Sequence, residues 1–236
     1  MNLSRLLPVS VIVALLGVGC YPVEDSCNIK TPGIYVQFEV LEKGTTARAE
    51  ATFWTGNDAN GTNLSLTCGD VIVVNGTKLK KSSSHPIRYA ASIKMTEEYE
   101  FVFDRTDEEP YSSFVTKMPE PVSITAPSRG EIPRDQSFEI TWENNGKDEL
   151  NLRISSDCFW EYPETLGKSV PDTGHYTVSA NSFDMQSGED ATSCTAEVEL
   201  TREVKGSLST DLNGTIRGLA RGTATFTSTP AALMTE

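Results

Sequence analysis

The chain has 236 residues, enough for one large domain or two of ordinary size. Apolar residues make up 38% and charged ones 22%, which argues against both a disordered tail and a multispanning membrane protein. The formal net charge of −13 repels phosphate backbones and anionic bilayers alike, so it argues against nucleic-acid binding and against membrane attachment by charge.

The first element in chain order is an export signal. MNLSR carries Arg5 and no acid, and LLPVSVIVALLGVG is nearly all apolar. That run is shorter than the roughly 18–20 residues needed to span a bilayer, and it ends in Gly17 and Gly19. A positive start, a short apolar run and a small-residue end read as a signal peptide over residues 1–19.

Cys20 follows directly. LLGVGC resembles the lipobox of bacterial lipoproteins, in which a Leu, a small residue and a Gly or Ala precede a lipid-modified Cys. Here Leu16 stands four residues before Cys20, and Gly17 takes the usual Leu place. The resemblance implies that Cys20 becomes the mature N-terminus and carries palmitate-type acyl chains. Three chains hold firmly where two already suffice. With Tyr21 rather than Asp next, it implies sorting to the outer membrane of the cell envelope, facing the periplasm or the surface, with residues 20–26 as a lipidated tether.

Cysteine arithmetic agrees with that assignment. Five cysteines in an exported chain leave one over, and giving Cys20 to lipid leaves Cys27, Cys68, Cys158 and Cys194. These four can pair in three ways. Their grouping along the chain favours Cys27 with Cys68 and Cys158 with Cys194, each closing a loop of about 40 residues and contributing roughly 4 kcal/mol. With no CxxC and only two histidines, no zinc site is expected, and with no P-loop or dinucleotide fingerprint no cofactor is expected either.

Period-two alternation dominates the rest. IYVQFEV places Ile34, Val36, Phe38 and Val40 on one face, and ARAEATF does the same with Ala47, Ala49, Ala51 and Phe53. LSLTC, VIVVNGTKLK with its Asn75-Gly76 turn, IRYAASIKM, EYEFVFDR and SSFVTKM complete about seven short strands. MPEPV, Met118–Val122, is a stiff extended link and a domain boundary. Residues 20–118 carry 10 basic and 14 acidic side chains, whereas residues 119–236 carry 9 and 19. After the link the pattern restarts: Phe138, Ile140 and Trp142 share a face, then Cys194, Ala196, Val198 and Leu200, before a last hairpin into GTATFTSTP. The expected fold is all-β: two consecutive Ig-like β-sandwich domains, residues 27–118 and 119–236, after a lipoprotein signal peptide.

DTGHYTV carries the most specific resemblance. Asp172, Gly174 and Tyr176 are similar to the D-x-G/A-x-Y stretch around the tyrosine corner of immunoglobulin-like domains, which implies a Tyr176 hydroxyl bonded to nearby backbone. Val178 stands where antibody domains have Cys. The whole arrangement resembles uncharacterised bacterial envelope lipoproteins with tandem Ig-like domains, a group that brings no established activity.

Candidate sites are few. Between Asp70 and Glu97 there is no acid, while Lys78, Lys80, Lys81, Arg88 and Lys94 fall inside, forming either an anion-binding patch or a lysine-protected edge hairpin. CFWEYP places Trp160 and Tyr162 on one face of a strand, either as rings that stack on a sugar or as core packed against the Cys158 bridge. His85 and His175 lie near no G-x-S-x-G turn, so a serine nucleophile has no base. The acids of DRTDEEP and DMQSGED read as solubilising loops, with a carbohydrate-active acidic pair or a weak Ca²⁺ site as the alternatives. The expectation is a lipid-anchored, non-catalytic envelope protein that binds a polysaccharide or protein partner or acts as a spacer. An accessory subunit of an envelope assembly or secretion machine is a further alternative.

Overall fold

In a computed structural model, the structure describes residues 22–230 except 44, 84, 86, 129, 146–148, 163–166 and 191. The expected signal peptide and Cys20 lie outside the described residues. Among the described residues no helix is long and apolar enough to cross a membrane.

Among the described residues eighteen strands follow in order. The first ten are β1 (Val23–Asp25), β2 (Ile34–Lys43), β3 (Thr46–Thr55), β4 (Asn63–Ser65), β5 (Val71–Val74), β6 (Thr77–Lys78), β7 (Lys80–Lys81), β8 (Arg88–Lys94), β9 (Tyr99–Asp104) and β10 (Tyr111–Val115). After the link come β11 (Ile124–Ala126), β12 (Glu131–Pro133), β13 (Phe138–Trp142), β14 (Glu149–Ser156), β15 (Lys168–Pro171), β16 (His175–Val178), β17 (Cys194–Lys205) and β18 (Asn213–Thr229).

They form two Ig-like β-sandwiches that share one sheet. An eleven-stranded sheet runs β1-β4-β3-β2-β18-β17-β14-β15, with β8 and β7 beside β3 and β12 beside β18. Facing it in the first unit is β10-β9-β5-β6, and in the second β11-β13-β16. The alternation sets which residues meet between the sheets. Ile34, Val36, Phe38 and Val40 are fully buried, as are Ala49, Ala51 and Phe53 opposite them on β3. Phe38 stacks on Phe101 with centroids 5.0 Å apart, and Phe53 leans on Phe103 at 5.1 Å. Each such ring contributes on the order of 2–3 kcal/mol by leaving water. The second core gathers Ile140, Leu152, Ile154, Val198, Leu200 and Phe159. The Asn75-Gly76 turn has φ of 46° and 78° at its two central residues, the left-handed pair that a tight hairpin requires.

The expected boundary at residue 118 needs one correction. β18 is seventeen residues long and serves both units. Its first half, Asn213–Ala220, pairs in parallel with Tyr35–Glu42 of β2, and Leu212 and Ile216 sit in the first core. Its second half carries Phe226 into the second core. The turn before it also returns to the first unit, where Ser207 and Phe114 exchange two backbone hydrogen bonds at 2.7 and 2.8 Å. The last hairpin therefore closes the first sandwich as well as the second.

Both expected disulfides are present, Cys27–Cys68 with Cα atoms 5.9 Å apart and Cys158–Cys194 at 6.3 Å.

Candidate functional site

Among the described residues three buried arginines, Arg105, Arg202 and Arg134, organise the two units and the junction between them. At the entry end, Arg105 occupies the next inward position after Tyr99, Phe101 and Phe103. It is 6% exposed and pairs with Asp70, Nε to Oδ2 at 3.1 Å. Its other nitrogens donate to the carbonyls of Ser26 at 2.9 Å and Ile29 at 3.0 Å, and to Thr31 Oγ1 at 2.6 Å. The segment around Cys27 is thus held by a disulfide and a guanidinium together. Glu108, read above as part of a solubilising loop, instead accepts from Thr31, Tyr111 and Arg105. The hydrogen bonds from Thr31 and Tyr111, then the Arg105 charge, hold its carboxyl below the usual range against a small burial cost.

The junction uses the same device. Arg202 follows Ala196, Val198 and Leu200 on the inward face of β17. It pairs with Asp172 at 2.8 Å and donates to the carbonyls of Glu120, Pro121 and Glu143. Trp142 Nε1 donates to the other oxygen of Asp172 at 2.6 Å. Linker and second unit are therefore fastened at one charge. Asp172 is the residue of the DTGHYTV motif that ties the fold. Tyr176 corrects the expectation of a tyrosine corner: among the described residues its hydroxyl receives Lys168 Nζ at 2.8 Å and meets Tyr162 Oη at 3.3 Å, because β16 carries it beside those side chains. Burial raises the Tyr176 phenol, but the Lys168 and Tyr162 hydrogen bonds and the Lys168 charge outweigh it and lower the pKa. Gly174 takes φ +87° in the turn before β16.

At the far end of the second unit, Arg134 donates to Ser228 Oγ at 3.1 Å, to the Asp190 carbonyl at 2.8 Å and to the Thr192 carbonyl. This ties the Asp190 and Thr192 backbone to β18. The expected aromatic pair does not share a face. Tyr162 exchanges backbone hydrogen bonds with Ile154 and packs edge-on to Phe183 in the core. Trp160 instead donates its backbone N–H to Asp184, and its indole is turned out, 57% exposed. Phe159, stacked on Phe183 at 4.4 Å, is the ring that packs inside next to the disulfide.

The five cations of the basic stretch do not converge. Lys78 lies on β6 and Lys80 and Lys81 on β7, both edge strands. Lys81 donates to Ser65 Oγ at 2.7 Å, and Arg88 faces Glu50 at 3.5 Å. Lys94 sits at the opposite end of β8, across from Thr46. His175 is exposed on β16. Among the described residues, no group of three or more His, Cys, Asp or Glu side chains is placed to hold a metal ion. The buried arginines were missed because an Arg inside an acidic stretch looks like surface. The signal was parity: residues 105 and 202 continue inward apolar runs.

No protein-family model matches the chain, and no curated protein matches it in sequence. Among solved structures, the chain is similar to the fibronectin(III)-like modules of Clostridium thermocellum CbhA, at 14% identity over 86% of this chain and 97% of that one, with a TM-score of 0.28. It also matches CBD12 from CALX1.2, at 11% identity over 82% and 98%, with a TM-score of 0.17. At overlays this loose the Ig-like sandwich architecture rests on the strand pairing itself.

Proposed function

We propose that the chain is a lipid-anchored outer-membrane protein of the bacterial envelope, a rigid non-catalytic arm that holds a binding end away from the bilayer. The polarity of the chain carries this reading. Val23 pairs with Asn63, Asn63 with Trp54, Trp54 with Tyr35, and Tyr35 with Asn213, so the described chain enters at the level where β18 begins. β18 then runs from that end to Thr229 in the second unit, a length of about 55 Å at ~3.3 Å per residue. Three residues from Cys20 to Val23 reach at most about 10 Å. A lipid on Cys20 would hold the first unit against the membrane and point the more acidic second unit outward. The stretch before Val23, with its apolar run and LLGVGC, supports the anchor.

Metabolic labelling with an alkyne palmitate analogue tests the anchor. The expected result is label on the wild-type chain in the outer-membrane fraction and none on Cys20→Ser. Equal labelling of both, or a wild-type chain that is soluble and unlabelled, overturns it.

A further inference from the structure

We infer that the far end of the second unit docks a Lys- or Arg-rich protein segment, with the Trp160 indole as the surface that receives the cation. Among the described residues Trp160 and Val23 are the only large hydrophobic side chains left exposed, and Trp160 is the more exposed of the two. Its backbone is not free to bury it. Trp160 N–H is held by the Asp184 carbonyl at 2.8 Å, Gln186 N–H by the Cys158 carbonyl at 3.0 Å, and the Cys158–Cys194 bridge closes the same loops. Trp160 leaves more than half of its surface in water on a hydrogen-bonded backbone, and tryptophan is enriched among the few interface residues on which binding energy concentrates.

The charge around it selects the partner. Segments 156–162 and 179–194 contain Asp157, Glu161, Asp184, Glu189 and Asp190 and no Lys, Arg or His. Arg153 and Glu161 neutralise one another, Arg134 is buried against the Asp190 and Thr192 carbonyls with the Glu189 and Asp190 charges beside it, and Lys168 is held on the Tyr176 hydroxyl, which leaves Asp157 and Asp184 as the acids not matched by a cation on the segments that carry the indole. An indole face attracts a guanidinium or ammonium, and unmatched acids on the segments that carry it favour a cationic partner over anionic polymers and headgroups. A neutral glycan would gain the ring but nothing from the charge. The inference rests on the reading of a non-catalytic binding arm and is separable from its lipid anchor.

The test is calorimetric titration of the full chain in neutral detergent micelles with a ten-residue peptide of alternating Arg and Gly, beside the matching Glu-Gly peptide and the neutral glucan laminarin. The expected result is saturable binding of the Arg-Gly peptide alone, weakened at least fivefold by Trp160→Ala, less by Trp160→Phe, and about threefold by Asp157→Asn with Asp184→Asn. The thermal midpoint should not move, since the indole is exposed. Three results overturn the inference: no binding by the wild type, equal binding by Trp160→Ala, or laminarin binding that Trp160→Ala abolishes. A wild-type chain that is soluble and unlabelled yet binds the peptide through Trp160 would overturn the anchor and leave this inference standing.

Discussion

Arg202 and Asp172 form an ion pair at 2.8 Å in which both side chains are at most 4% exposed, and the same guanidinium grips the carbonyls of Glu120 and Pro121 in the linker. Removing one member of such a pair strands the other in a low-dielectric interior. Arg202→Met should therefore cost about 3–5 kcal/mol in urea unfolding. Asp172→Asn, which keeps an acceptor for Trp142 Nε1, should cost less. Equal, negligible losses would mean that water replaces these contacts.

The linker also presses directly on the shared strand. A Cβ built on Gly222 would lie 2.4 Å from the Val122 carbonyl oxygen, and one on Gly218 2.6 Å from Met118 Sδ. The first contact is with backbone and cannot be relieved by a rotamer change. Gly222→Ala should lower stability by about 1–3 kcal/mol through forced displacement of the linker, more than Gly218→Ala, where a flexible thioether can move. Differential scanning calorimetry of the two variants decides the order.

Tyr99 gives a pH signature. Its hydroxyl lies between the sheets and donates to Glu42 at 2.8 Å. Burial first, then the Glu42 hydrogen bond and charge, push its pKa up to about 12. A folded pKa above the unfolded value of about 10 favours the fold fully below pH 10, and that contribution is lost as pH rises from 10 to 12. Stability should fall over this window in the wild type and fall less in Tyr99→Phe. Ultraviolet phenolate titration should show one fewer late-ionising tyrosine in the variant.

Lys80 and Lys81 lie on β7, which pairs with β8 alone. Lysines there discourage strand addition by another chain. Lys80→Val with Lys81→Val should leave the fold intact and raise the sedimentation coefficient with concentration. An unchanged monomeric boundary would point away from edge protection as their role.

The longer strands were legible in the sequence where each carries its own alternation, whereas short β1 and β15 carry none. Ile34 to Val40 and Ala196 to Leu200 need no partner to reveal their inward faces. The sharing of β18 was not legible. Its first half offers only Ile216, Gly218 and Ala220 inward, a weak pattern, and its partner β2 lies far away in sequence, with Arg217 donating to Glu39 across 178 residues. Trp160 and Tyr162 look like strand neighbours two apart, but residue 160 bonds to Asp184 and residue 162 to Ile154, so strand parity does not apply between them. Tyr176 matched its motif in spelling. Its role depends on Lys168 and Tyr162, which the motif does not mention.

The thickness of the protein layer formed by the lipidated full-length chain on a supported bilayer, measured by neutron reflectometry, tests the anchored arm most directly. A strand shared along about 55 Å, with the tether at one end, predicts a layer at least that thick, densest near the bilayer and extending outward through the second unit. A layer only as thick as a single sandwich, well short of that length, would mean that the molecule lies flat and would contradict the account.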